Sequence, residues 1–202
     1  MLNIGHLIQD LCTFDIIKVE RRKKMVEQLV ERIRRNDQRA MSQLYQMYIR
    51  ELSSVCYRYV PDEDDAKDVL QDSFVKIFTA LDTFEYRDET SFMGWMIKIV
   101  VNEALHFLKE RRRLLFVDIQ EDSIEAEDQI KAEHVTADEL HQLISELPDG
   151  YRTVINLFVF EGCSHQEIAT LLGIDRSTSA SQLYFAKRLL AKRMKELMSK
   201  KQ

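Results

Sequence analysis

Ser164-His165-Gln166-Glu167-Ile168-Ala169-Thr170-Leu171-Leu172-Gly173-Ile174-Asp175 is the stretch whose reading decides the fold. Ser164 and Glu167 have the spacing of a capping box: the serine oxygen accepts from the Glu167 backbone N–H, and the glutamate reaches back to the cap. Ile168, Ala169, Leu171 and Leu172 continue a helix. Gly173 stands where a left-handed residue ends one. Ile174 can pack into the angle, and Asp175 caps a second helix running past Arg188. Ser179, Leu183, Ala186 and Leu190 are its inward positions. Small Ala169 lets the two helices cross closely. This is the spacing of a helix-turn-helix whose second helix enters the DNA major groove. An ordinary helical hairpin with a basic exposed face is the alternative.

The outward residues at the start of that second helix are Arg176, Ser177, Thr178, Ala180, Ser181 and Gln182. Arginine can bond a guanine edge twice, and glutamine an adenine edge. Lys187, Arg188, Lys192 and Arg193 follow, where they can meet phosphates.

Outward from this motif the chain reads as helical throughout. Only 5 glycines and 2 prolines occur in 202 residues, too few for a turn-rich β-sandwich or a low-complexity chain. Apolar residues are 45% and charged residues 31%, a globular balance. No apolar run approaches the roughly 18 residues needed to cross a bilayer. Met1 to Phe14 carries no lysine or arginine and does not read as a secretory signal. Cys12, Cys56 and Cys163 are odd in number, widely spaced and without a CxxC pair. That argues against a zinc site or disulfide framework and for a reduced, cytoplasmic setting.

Charge divides the chain. The net is −5, but the sign varies along the sequence. Nine acidic residues stand against Lys131 alone between Asp118 and Glu139, whereas eight Lys/Arg stand against three acids from Ser164 onward. The acidic stretch reads as a solvated linker between two domains. The expected architecture is all-α, with two small helical domains joined by that linker. Residues 1–24 form a leader of unassigned role, 25–113 a first domain, 114–134 the linker and 135–202 a second domain.

In the first domain Val26, Leu29, Val30 and Ile33 make a helical stripe. Asp37 caps a helix that Pro61 stops, and Asp62 or Asp64 caps a third. A polar loop, Asp82 to Thr90, precedes a long helix from about Ser91 to Arg113, whose first half is apolar almost all round. In the second domain Val135–Leu147 and Tyr151–Glu161 read as helices closed by Pro148 and Gly162.

The third helix holds the most distinctive surface. Ala66, Val69, Leu70, Phe74, Ile77 and Phe78 form its core face, while Asp65, Asp68, Gln71, Asp72 and Lys76 line the other, beside exposed Val75. An acidic, hydrogen-bonding face with one apolar residue suits docking on a basic protein helix. These carboxylates lack histidines and an apolar pocket, so catalysis and metal binding are not expected of them. The long helix adds Trp95, Lys98 and Asn102, a set able to stack on and bond unpaired bases. Trp95 reads equally well as a core residue.

These segments resemble a known family. Asp65–Phe78 is similar to region 2.2 of sigma-70-type RNA polymerase sigma factors. Phe92-Met93-Gly94-Trp95-Met96 through Asn102 to Arg111-Arg112-Arg113 resembles regions 2.3 and 2.4, and Leu147–Arg152 with Phe160–Ile174 resembles region 4. With no region 3 between them, the layout is that of the extracytoplasmic-function group. The resemblance implies a sigma factor that binds core RNA polymerase and directs promoter-specific initiation, with neither catalytic centre nor cofactor. It implies that Asp65, Asp68, Gln71, Asp72, Val75 and Lys76 contact the β′ clamp helices. Trp95, Lys98, Asn102, Arg111 and Arg112 would serve the −10 element and strand separation, beside a base held by the Asp82–Thr90 loop. Arg176, Ser177, Thr178, Ser181, Gln182, Lys187 and Arg188 would read the −35 element while the domain docks on the β flap. An anti-sigma factor is an implied partner, and stable membrane insertion is not. The chain departs from the family at Ala180, where lysine is frequent, and at Gln182, where arginine is. Two rival readings remain: a stand-alone helix-turn-helix regulator, and an enzyme with acidic helices. Against the second, no GxxxxGK[ST], HExxH or GxSxG occurs.

Overall fold

The computed structural model describes residues 21–111 and 135–200. The expected linker, Arg112 and Cys12 lie outside them. Eight helices and no strand occur among the described residues: α1 (21–34), α2 (Gln38–Tyr59), α3 (Glu63–Ala80), α4 (Glu89–Glu110), α5 (Ala137–Ser145), α6 (Asp149–Val159), α7 (His165–Leu172) and α8 (Arg176–Lys200). The all-α expectation holds.

Local chemistry sets most of the boundaries. The Asp37 carboxylate accepts from the Arg39 and Ala40 amides at the start of α2. Asp62, not Asp64, caps α3, accepting from the Asp65 amide at 3.0 Å. Asp88 accepts from the Ser91 amide and hydroxyl at 2.8 and 2.9 Å, so α4 begins at Glu89, two residues before the expected start. Thr136 and Glu139 form a second capping box, which starts α5. Pro148 precedes α6, which therefore starts at Asp149 rather than Tyr151.

Contacts divide the structure into two compact units, one holding the described residues up to Ser53 with Leu70–Val100, the other Ser54–Val69 with the described residues from Val101 onward. In the first unit, Val26, Leu29, Val30 and Ile33 of α1 are buried, as are Leu44, Tyr48 and Leu52 of α2, Phe74 and Ile77 of α3, and Phe92, Met96 and Val100 of α4. Aromatic rings contribute to this core: Tyr48 meets Phe92 edge-on at 5.7 Å between centroids, and exposed Tyr45 covers buried Phe74 at 4.6 Å.

In the second unit, α6 and α7 pack on α8. Val154, Leu157, Ile168, Leu172, Leu183, Ala186 and Leu190 are buried there. Arg152 is buried too, an arrangement allowed because its guanidinium is fully engaged. It pairs with Asp149 and donates to the carbonyls of Ser145, Leu147 and Tyr59. Asn156 donates to the Arg58 carbonyl at 2.6 Å. Two α6 side chains thus satisfy the last two carbonyls of α2, those of Arg58 and Tyr59.

Candidate nucleic-acid and polymerase interface

Three surfaces carry the residues singled out in the sequence. The first is the outer face of α3. Asp68, Gln71, Asp72, Val75 and Lys76 are all exposed, and Val75 stands out at 59% exposure. That apolar side chain is open to water one turn from Gln71 and Asp72 and next to Lys76, on a face that also carries Asp68. Asp65 does not belong to that face. Its side chain is turned in and paired with Arg111 at 2.8 Å, and Arg111 also lies over the Phe107 ring. The structure therefore joins two residues that the sequence assigned to different surfaces.

The second surface is the loop between α3 and α4. Phe84 turns back to stack on Trp95 at 4.4 Å, and Trp95 lies parallel to Phe92 at 5.7 Å. Trp95 is half-buried: its ring packs on Phe84 and Phe92, and the remainder is open. Arg34 of α1 pins the loop, donating to the carbonyls of Leu81 at 3.1 Å and Phe84 at 2.6 Å. Arg22 pairs with Glu89 at 2.7 Å. The hydrogen bonds to Ser91 hold the Asp88 carboxyl below its usual range. Lys98 and Asn102 are exposed on α4.

The third surface is α7 and α8. The Ser164–Glu167 capping box is formed, and Gly173 has φ +72° in the left-handed region. Hydrogen bonds from Ser164 hold the Glu167 carboxyl below its usual range. The two helices are tied by His165 Nδ1 and buried Ser179 Oγ, 3.0 Å apart, and His165 stacks on Phe158. Arg176, Ser177 and Lys187 are exposed at the α8 surface, and Thr178, Ser181 and Arg188 are half-exposed. Ser181 spends its hydroxyl on the Thr178 carbonyl.

Gln182 is a correction. It is 1% exposed and is not an outward base-reading residue. It falls at helical spacing with Ser179 and Ala186, on the face that packs inward. Tyr184 was not singled out from the sequence, yet it is 52% exposed on the outer face with Ser177, Ala180 and Ser181. Arg188 donates to its hydroxyl at 3.1 Å. The available signal was an aromatic residue at an outward position of a basic helix.

Comparison with known proteins decides what these surfaces belong to. The model for sigma-70 region 2 matches residues 44–114, and that for sigma-70 region 4 matches 137–190. The RNA polymerase sigma-H factor of Pseudomonas aeruginosa is 30% identical over 188 residues, covering 85% of this chain and 95% of the relative. The chain belongs to the extracytoplasmic-function group of sigma-70 factors. The ECF RNA polymerase sigma-E factor of Escherichia coli is 32% identical over 185 residues, 84% of this chain and 94% of that one. Among solved structures, CnrH in complex with the cytosolic domain of CnrY is 22% identical, with a TM-score of 0.43 over 83% of this chain and 96% of that one. In this sigma factor α3 and α4 fall within the region 2 match, and α7 and the part of α8 up to residue 190 within the region 4 match. No helix among the described residues is long and apolar enough to cross a membrane.

Proposed function

We propose that this sigma factor binds core RNA polymerase through the outer face of α3, using Asp68, Gln71, Asp72, Val75 and Lys76 against the β′ clamp helices. Residues 25–113 serve core binding and the −10 element, and residues 135–202 serve the −35 element and the β flap. Trp95, Lys98, Asn102, Arg111 and Arg112 act at the −10 element and in strand separation. Arg176, Ser177, Thr178, Ser181, Lys187 and Arg188 act at the −35 element, with exposed Tyr184 beside them. An anti-sigma factor controls access, and the protein works in the cytoplasm without catalytic chemistry of its own.

The observation that carries this reading is Val75, an apolar side chain held open to water on a region 2 helix, one turn from exposed Gln71 and Asp72. Burying it on a partner removes a cost that the free protein bears. Tethering both domains to the polymerase raises the effective concentration of each at its promoter element, so neither needs high affinity alone. The test is equilibrium binding of labelled protein to core polymerase. Val75→Asp and Asp72→Ala should each weaken binding at least tenfold with unchanged helicity. Undiminished binding by both would remove this face from the interface.

A further inference from the structure

The region 2 match begins at residue 44 and leaves α1 outside it. This helix has a charge of its own. From Arg21 to Arg39 there are eight Lys/Arg against Glu27, Glu31 and Asp37, in a chain whose net charge is −5. The apolar face of α1 is spent on the core, where Val26, Leu29, Val30 and Ile33 are buried. At 100° per residue, Arg21, Lys24, Gln28, Arg32 and Arg35 fall together on the outer face. All five are exposed. The stripe borders a groove of about 400 Å³ whose lining includes Gln28, Arg32, Gln43 and Gln46. Arg32 reaches across that groove to Gln43 at 3.5 Å. Arg32 also meets Asp37 at 2.8 Å and Arg35 meets Glu31 at 3.8 Å, with both arginines still exposed. Cations and amides along one exposed helix face suit a run of phosphates.

The position of α1 indicates which phosphates. Arg34 holds the carbonyls of Leu81 and Phe84, and Arg22 pairs with Glu89. Helix α1 is thereby fastened to the loop proposed to hold a −10 base. We infer that the outer stripe of α1 is an additional phosphate-binding track, engaging the DNA backbone beside the −10 element within the initiation complex. It contributes sequence-independent affinity and leaves base recognition to the loop and α4. The inference rests on the sigma-factor reading above.

The test uses holoenzyme assembled from core polymerase and the full chain, on a promoter mapped by its own transcripts. Arg21→Gln, Lys24→Gln and Arg35→Gln are combined; all three side chains are exposed and none supports the core. Promoter affinity is measured from 50 to 200 mM salt, alongside affinity of the protein for core polymerase. Loss of three phosphate contacts lowers the slope of log K against log salt by about 2.7, which narrows the affinity change across that range about 40-fold. Affinity for core polymerase stays the same. An unchanged slope overturns the inference. A fall in core affinity that accounts for the whole effect also overturns it, and assigns the stripe to an acidic protein surface. If wild-type holoenzyme forms no promoter-specific complex, the sigma-factor reading fails and takes this inference with it.

Discussion

The Arg111 guanidinium lies 2.8 Å from an Asp65 carboxylate oxygen, with the aspartate side chain 12% exposed and the arginine 48%. Region 2 thus spends the first carboxylate of its acidic face on its own structure. Removing Asp65 leaves a half-exposed arginine without this anion, whereas removing Asp72 leaves an exposed face otherwise intact. Asp65→Ala is expected to lower stability by about 1–2 kcal/mol, between the values for exposed and buried pairs. Asp72→Ala is expected to change stability by less than about 0.5 kcal/mol. Thermal melts of the two variants, set against their core-polymerase affinities, check the division.

Two glycines predict opposite signs. A Cβ added at either Gly94 or Gly173 meets nothing within 4 Å, so only the backbone decides. Gly173 has φ +72°, and Gly173→Ala should destabilise by about 1 kcal/mol. Gly94 lies inside α4, and Gly94→Ala should stabilise by about 0.5–1 kcal/mol. Denaturant midpoints measured at constant m-value report both.

The tie between the helix-turn-helix pair is testable through Ser179, which is fully buried 3.0 Å from His165 Nδ1. Ser179→Ala removes the partner of a half-buried ring nitrogen and should cost about 1–2 kcal/mol. Binding to the −35 element should weaken with it, because the second helix is then less firmly aimed. Retained −35 affinity alongside lost stability would separate support of the fold from aiming.

Burial pushes the Cys56 thiol up to about 12 from an ordinary value of 9.0, and raises the Tyr48 and Tyr59 hydroxyls as well. Above pH 9 the unfolded chain releases the Cys56 proton while the folded protein keeps it, so stability falls as pH rises toward 12. The loss approaches about 1.4 kcal/mol per pH unit for this one group. Urea unfolding followed from pH 8 to pH 11 should show the decline, and Cys56→Ala should reduce it most between pH 9 and pH 10, below the range where Tyr48 and Tyr59 add a loss of the same sign. At pH 8 a soluble disulfide reagent should label half-buried Cys163 and spare Cys56 until the protein unfolds.

What could be read from the sequence follows the range of the forces involved. The Ser164–Glu167 box, Gly173 and the inward Ser179–Leu190 stripe act within one or two turns, and all were legible. The Thr136–Glu139 box was just as local but went unread, because the acidic run around it resembled linker. Gln182 was misread because its polar side chain suggested an outward position, although its spacing from Ser179 already placed it inward. Asp65 and Arg111 meet across 46 positions of chain, and nothing local to either residue announces the pair. The same holds for Phe84, whose turn back onto Trp95 is made by a loop without periodicity. The exposed face of α3 was legible apart from Asp65, since exposure on a helix follows directly from its period.

The central claim is that this chain gives core RNA polymerase its promoter choice. Run-off transcription with purified core polymerase on fragmented genomic DNA from the source organism, with and without the protein, tests it most directly. Discrete transcripts that appear only with the protein, start downstream of a shared pair of sequence elements and disappear with Val75→Asp are the predicted result. Wild-type protein that yields no new transcript, while binding DNA by itself as a two-fold dimer, would contradict the account and restore the stand-alone regulator.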